Sequence, residues 1–258
     1  MTLKYSTAAR EFMASVGSFK DAFQNGRIEI YTGAQPANAD AAVTGTLLCT
    51  LTSSSLARTA EVLATGTVTL STGAAGSVSA LTVNGVDIMG PAAVPYVTSL
   101  TVTAANLAAQ INAWKGAVRY RATSSGAVVT ITALPGTGAT PNTFAVSPSF
   151  VTLTGASTAM ASGVAPVNGL QWNDAVAGVL NILTGQTWSG VNGASNTAGW
   201  FRAYGSVADA GALDSALVFI REDGAISTSG AELNMASTAL TSAATTTISA
   251  WQRTITTL

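Results

Sequence analysis

The sequence predicts a mainly β protein, a β sandwich or barrel with one N-terminal helix, carrying an inserted small α+β domain. Three observations predict it. Short alternating runs rich in Val, Ile and Thr recur along the 258 residues, separated by Gly, Asn and Pro. Helical spacing of apolar side chains shows in only two places. Charged residues are 9% of the chain, against about 25% in an ordinary soluble domain. Apolar residues stay at 48%, so Thr, Ser, Gly and Asn stand where charge would be.

The first helical pattern opens the chain. Phe12, Val16, Phe19 and Phe23 are spaced by four, three and four, which places them on one face. Ser6 or Thr7 can cap its start, and Asn25-Gly26 supplies a left-handed stop. Arg27 to Tyr31 then alternates as a strand with Ile28 and Ile30 inward, and the run from Gly33 to Asn38 breaks it. Thr46 to Thr52 reads as a second strand. Its Cys49 reads as a buried small hydrophobe rather than a nucleophile.

From about Thr67 the texture changes. Val78 to Ile88 reads as a strand pair about an Asn84-Gly85 turn. Thr103 can cap a helix from Ala104 to Trp114, with Leu107, Ala108 and Ile111 on one stripe and Gly116 ending it. Ala117 to Thr123 and Ala127 to Ala133 form a hairpin about Ser124-Ser125-Gly126. The segments Thr67–Gly73 and Phe150–Gly155 resemble each other, which suits a unit that the chain enters and leaves side by side. The domains are therefore drawn as 1–66 plus 156–258 for the β-rich part and 67–155 for the insert.

Beyond Gly169 the chain returns to strands. Gly199 to Tyr204 and Ala216 to Arg221 alternate, and Glu222-Asp223-Gly224 reads as a turn. Leu233 and Met235 precede a closing strand, Thr245 to Thr256, that carries Ile248, Trp251 and Ile255.

Composition excludes several function classes. With no histidine, a His general base, a Ser-His-Asp triad and a His-ligated metal are ruled out. One cysteine forms no internal disulfide. Eleven basic and twelve acidic residues are spread along the chain, without the basic stripe of a nucleic-acid binder. Arg119 and Arg121 share a strand face too small for that role. The mean hydropathy of +0.39 invites a membrane reading. However, Ser, Thr, Gly, Asn and Pro interrupt the charge-free stretch from Ala122 to Asn173, and no window approaches about 20 apolar residues. The opening residues lack a signal-peptide pattern, so a soluble protein made in a cytoplasm is expected.

Chemical motifs are sparse. Gly136-Thr137-Gly138 lacks the third glycine and the helix of a dinucleotide loop. Asp209 and Asp214, near Glu222 and Asp223, are the remaining acid/base option, but loop carboxylates are usually solvated. The same oxygens offer no better case for Ca²⁺. Trp172, Trp188, Trp200 and Trp251 could line a glycan-binding surface, although tryptophans in a β protein are more often core or interface anchors. No catalytic residue, metal ligand or cofactor is expected.

Several segments together resemble a family of tailed-bacteriophage virion structural proteins. They are Lys4 to Arg10, Ile28 to Ala37, Gly45 to Leu48, Thr187 to Gly190, Ala198 to Arg202, and Ser227 to Leu233. The match covers about residues 1–65 and 165–258, and the middle, with Leu81 to Val86 and the helix at 104–112, resembles an insert module of phage tail and fibre proteins. The resemblance implies a non-catalytic virion protein, made in the bacterial host cytoplasm and located in the particle. Capsid decoration leads, with the neck or tail exterior as an alternative and a receptor- or glycan-binding adhesin as another. Expected partners are the major capsid protein or neck and tail proteins, with assembly as a trimer or hexamer and host glycan for the adhesin. Neither nucleic acid nor membrane is a partner. Phe12, Phe19, Tyr31, Trp188, Trp200 and Trp251 are the candidate interface residues.

Overall fold

The computed structural model describes residues 3–116 and 120–254. The protein is mainly β with few helices. The chain divides into two compact units, Met1–Glu61 with Pro166–Leu258, and Val62–Ala165. Their bounds lie outside the 67 and 155 read from the sequence. Val62 and Val164 exchange backbone hydrogen bonds of 3.1 and 2.9 Å, so the chain enters and leaves the second unit side by side.

The first unit opens with β1 (Lys4–Tyr5), followed by α1 (Thr7–Ser15) and α2 (Phe19–Phe23). The single helix expected here is therefore two. Ser6 caps α1 by accepting the Ala9 amide at 3.1 Å, while Asp40 accepts the Thr7 amide and hydroxyl, both at 2.9 Å. The break falls at Gly17-Ser18. Glycine is a poor helix former, and Ser18 starts its own capping box with Asp21. Phe12, Phe19 and Phe23 still face the core, but Val16, at the break, is 42% exposed. Asn25 then takes the left-handed conformation, at φ 60°. β2 (Arg27–Tyr31) and β3 (Leu47–Ser53) follow as an antiparallel pair, with Ile28 opposite Leu51 and Ile30 opposite Cys49.

The second unit comprises β4 (Thr65–Thr72), β5 (Ser77–Val83), β6 (Val86–Asp87), β7 (Val94–Pro95), α3 (Leu100–Ala113), β8 (Arg121–Ser125), β9 (Val128–Thr132), β10 (Val146–Val151) and β11 (Thr154–Ala161). One sheet runs β11-β4-β9-β8, and the other runs β10-β5-β6 with β7 also on β5. Asn84 and Gly85 both have positive φ, the conformation that an Asn-Gly hairpin turn needs. Ser99 rather than Thr103 caps α3, accepting the Val102 amide at 3.2 Å, so the helix begins at Leu100. Thr103 is buried inside the helix and donates back to the Ser99 carbonyl. Leu107, Ala108 and Ile111 pack into a core with Val68, Leu81, Val129 and Ile131. Ala117 to Arg119 lie outside the described residues.

Back in the first unit come β12 (Val179–Asn181), β13 (Trp188–Val191), β14 (Asn196–Thr197), β15 (Trp200–Tyr204), β16 (Arg221–Ser227), β17 (Leu233–Asn234), β18 (Ala239–Leu240), β19 (Thr245–Ile248) and β20 (Gln252–Thr254). The central sheet runs β1-β16-β15-β2-β3-β13-β19, with β17 also on β16. Three sequence expectations fail here. Ala216 to Ile220 is not a strand, Glu222-Asp223-Gly224 is the interior of β16 rather than a turn, and the closing strand is broken between β19 and β20. Ile255 lies outside the described residues. The cause of the first two is that β16 is buried on both faces, so an apolar-polar alternation does not mark it.

One face of the central sheet packs Ile28, Ile30, Leu51, Phe201 and Trp188 against Phe12, Phe19 and Phe23. Trp172, Trp188, Trp251 and Phe201 meet there edge-on or tilted, with centroids 4.8 to 5.9 Å apart. Trp188→Ala should cost about 3–5 kcal/mol, read as a lower urea midpoint at an unchanged fold by circular dichroism.

Candidate interaction surface and the ionic layer beneath it

The opposite face of the sheet carries the charge. Strand residues two apart share a face. Here Arg27, Glu29 and Tyr31 on β2 lie opposite Tyr204, Arg202 and Trp200 on β15, which in turn face Arg221, Asp223 and Ala225 on β16. Arg202 grips Asp223 with two bonds, Nε to Oδ1 at 2.6 Å and Nη2 to Oδ2 at 2.7 Å, and both side chains are fully buried. Burial works against the Arg202 charge, but the bonds to Asp223 and its charge raise the guanidinium pKa overall.

Two loops cover this layer and bond to its guanidinium groups. Arg221 donates two bonds to Asp209, at 2.7 and 2.8 Å, and two longer ones to the Ala39 and Asp40 carbonyls. Arg202 reaches the Ala41 carbonyl at 2.9 Å. Arg27 pairs with Glu29 at 2.7 Å and lies 3.9 Å over the Tyr204 ring. Tyr31 stacks on Trp200 with centroids 4.7 Å apart, and burial with a hydrogen bond to Glu29 pushes its phenol far up. Asp214 accepts the Phe219 amide at 2.7 Å. Asp209 and Asp214 are thus not solvated loop carboxylates: both are engaged inside, and Asp214 is buried.

Glu222 points the other way, into the aromatic core. It is fully buried, pairs with Arg253 of β20, and leaves Oε2 without a partner among the described residues. Arg253 lies 4.3 Å over the Trp251 ring. A small cavity of about 10 Å³ adjoins Glu222, Phe19, Trp172, Trp188 and Trp251. Burial pushes the Glu222 carboxyl up to about 7, opposed by Arg253. The cavity is too small for a substrate, holding at most about one water.

All six candidate interface side chains, Phe12, Phe19, Tyr31, Trp188, Trp200 and Trp251, are buried within the chain. They pack into the protein's own interior and leave little side-chain surface for a neighbour. The same burial removes Trp172, Trp188, Trp200 and Trp251 from any glycan surface. Cys49 is buried as expected, and burial raises its thiol to about 11.

The surface is sparsely charged and lightly apolar. An open groove of about 520 Å³ is lined by Thr50, Thr52, Leu56 and Val191, with the charged side chains Arg27, Arg58 and Asp209. Leu56 and Val191 are more than half exposed at its rim. Gly190 forms part of its floor, where a Cβ would fall 2.1 Å from the Thr50 carbonyl oxygen, so β13 can approach β3 there only as glycine. Arg58 donates to the Asn25, Gly205 and Ser206 carbonyls. Burial, and Arg27 nearby, lower its pKa to about 10.

Compared with known proteins, the chain matches no protein-family model, no curated protein and no solved structure.

Two expectations follow from the ionic residues. Arg202→Met should cost about 3–5 kcal/mol by stranding Asp223, and the double change Arg202→Met with Asp223→Leu should recover most of it; chemical denaturation of the three chains measures this. Glu222 titrates near 4.5 unfolded and about 7 folded, so its contribution is complete below pH 4.5 and lost as pH rises through 7. That loss is up to about 3 kcal/mol. Glu222→Gln should flatten the fall in stability across this window, measured as urea midpoints from pH 4 to 8.

Proposed function

We propose that the chain is a bacteriophage virion structural protein, working without catalysis and assembling on the particle through protein–protein contacts, most simply as a capsid decoration protein. The observation that carries this reading is the scarcity of ionic groups at the surface. Of a small charged complement, Arg202, Arg221, Glu222, Asp223, Glu61 and Asp214 are buried. The solvent-facing residues are largely Thr, Ser, Ala, Gly and Val. Covering such a surface desolvates few ions, whose unpaired burial is costly. Exposed Leu56, Val176, Val191 and Leu213 offer apolar contact as well. The resemblance of residues 1–65 and 165–258 to phage virion proteins supports the same reading.

Partners in this reading are the major capsid protein and further copies of the chain. The resemblance of the second unit to tail and fibre modules favours a second placement, on the neck or tail exterior. The adhesin reading is not carried forward, since its tryptophans are interior.

Quantitative mass spectrometry of purified particles tests the proposal. Decoration predicts a copy number comparable to that of the capsid protein, whereas neck or tail placement predicts a few copies. A chain found only in the soluble lysate, never in particles, overturns both.

A further inference from the structure

The central sheet ends on β19, and that end is unguarded. β19 pairs with β13 through all four residues, from Thr245 opposite Val191 to Ile248 opposite Trp188. Among the described residues no strand pairs with its other side. Such an edge presents unpaired amides and carbonyls, and soluble proteins normally blunt it with Lys, Pro, a bulge or a covering segment. Here Lys, Pro and a bulge are all absent, and the segment from Asn234 to Thr241 stands off across open space. No charged residue and no proline occurs between Glu232 and Arg253, and the β13–β19 register has no bulge.

The space beside the edge is open. A groove of about 360 Å³ runs along Thr245 to Ala250, with the segment from Asn234 to Thr241 opposite, and none of its lining residues is charged. Thr245, Thr247, Ser249 and Ala250 are exposed, while Thr246 and Ile248 point inward. An occupant with charged side chains would lose water there and gain no counter-charge. The chemistry required is an extended backbone with small, neutral, β-branched side chains. The edge strand itself has that composition, so it is its own complement.

We propose that β19 pairs antiparallel with β19 of a second copy about a two-fold axis, joining two central sheets into one. An axis through Thr247 keeps inward and outward residues on matching faces. Thr247 then lies opposite Thr247, and Thr245 opposite Ser249, pairs that hydrogen-bond across strands. Thr246 meets Ile248 on the core side. This interface names one self-contact for the assembly proposed above and rests on that reading for its role in the particle, although its chemistry stands on the edge alone.

Sedimentation velocity on the purified chain tests it, with Thr247→Lys and Thr247→Glu as variants. Thr247 is exposed and makes no side-chain contact that the fold needs, so both should keep the wild-type thermal transition. The wild type should dimerise, and each variant alone should dimerise about tenfold or more weakly, because like charges face each other across the axis. An equal mixture of the two should regain the dimer, and hydrogen exchange at Thr245–Ile248 should slow with it. A wild type monomeric at its highest soluble concentration, or variants that dimerise undiminished, overturns the pairing. A monomer that nevertheless belongs to particles overturns the edge contact alone. A dimer absent from particles upholds the contact and overturns the virion reading.

Discussion

Arg202 and Asp223 sit side by side on neighbouring strands, both fully buried, and much of the first unit is arranged to make that tolerable. Ions removed from solvent need excellent geometry and further hydrogen bonds to compensate for lost hydration. The arginine finds two carboxylate oxygens and the Ala41 carbonyl. Its neighbour Arg221 draws in Asp209 and the carbonyls of Ala39 and Asp40. The loops between β2 and β3 and between β15 and β16 are thereby fixed over the sheet. Asp40 also accepts from Thr7 at the start of α1 and contributes its carbonyl to Asp214. Loops that would otherwise be mobile connections are held as a lid of backbone acceptors over a charged floor.

This arrangement gives the sheet two different interiors. On one side aromatic and aliphatic groups pack as in any β domain. On the other, guanidinium groups alternate with carboxylates and with the flat rings of Tyr31, Trp200 and Tyr204. Part of the sparse charge of the chain is therefore used inside, where it ties strands and loops together, and few ions remain outside. That division links a composition that looked merely unusual to a surface suited to being covered.

How much of this was readable beforehand depends on the element. Elements with one buried face were legible: β2, β3, the Asn84-Gly85 hairpin and the Leu107–Ile111 stripe follow ordinary periodicity. β16 was not, because a strand buried on both faces loses its alternation, and Glu222-Asp223-Gly224 carries the residues of a turn. A usable signal existed all the same. Arg27 and Glu29, Arg202 and Tyr204, and Arg221 and Asp223 are each two apart, the strand period, which puts charge on a common face. The helix break at Gly17-Ser18 was legible in its residues but outweighed by the regular spacing of the phenylalanines. The roles of the tryptophans turned on burial, which no spacing rule reports, and so the interface residues chosen from sequence proved to be interior ones.

The Ser6 hydroxyl accepts the Ala9 and Arg221 amides and donates to the Phe219 carbonyl, while β1 pairs with Glu222 and Asp223. Contacts separated by more than two hundred residues form late and close slowly. During synthesis Lys4 to Ser6 therefore emerge well before their partners at 219–223. Residues 62–165, by contrast, have every strand of their own two sheets in hand once they emerge. Residues 62–165 can thus be structured while Lys4 to Ser6 still await β16, so a later stretch takes shape before those contacts close.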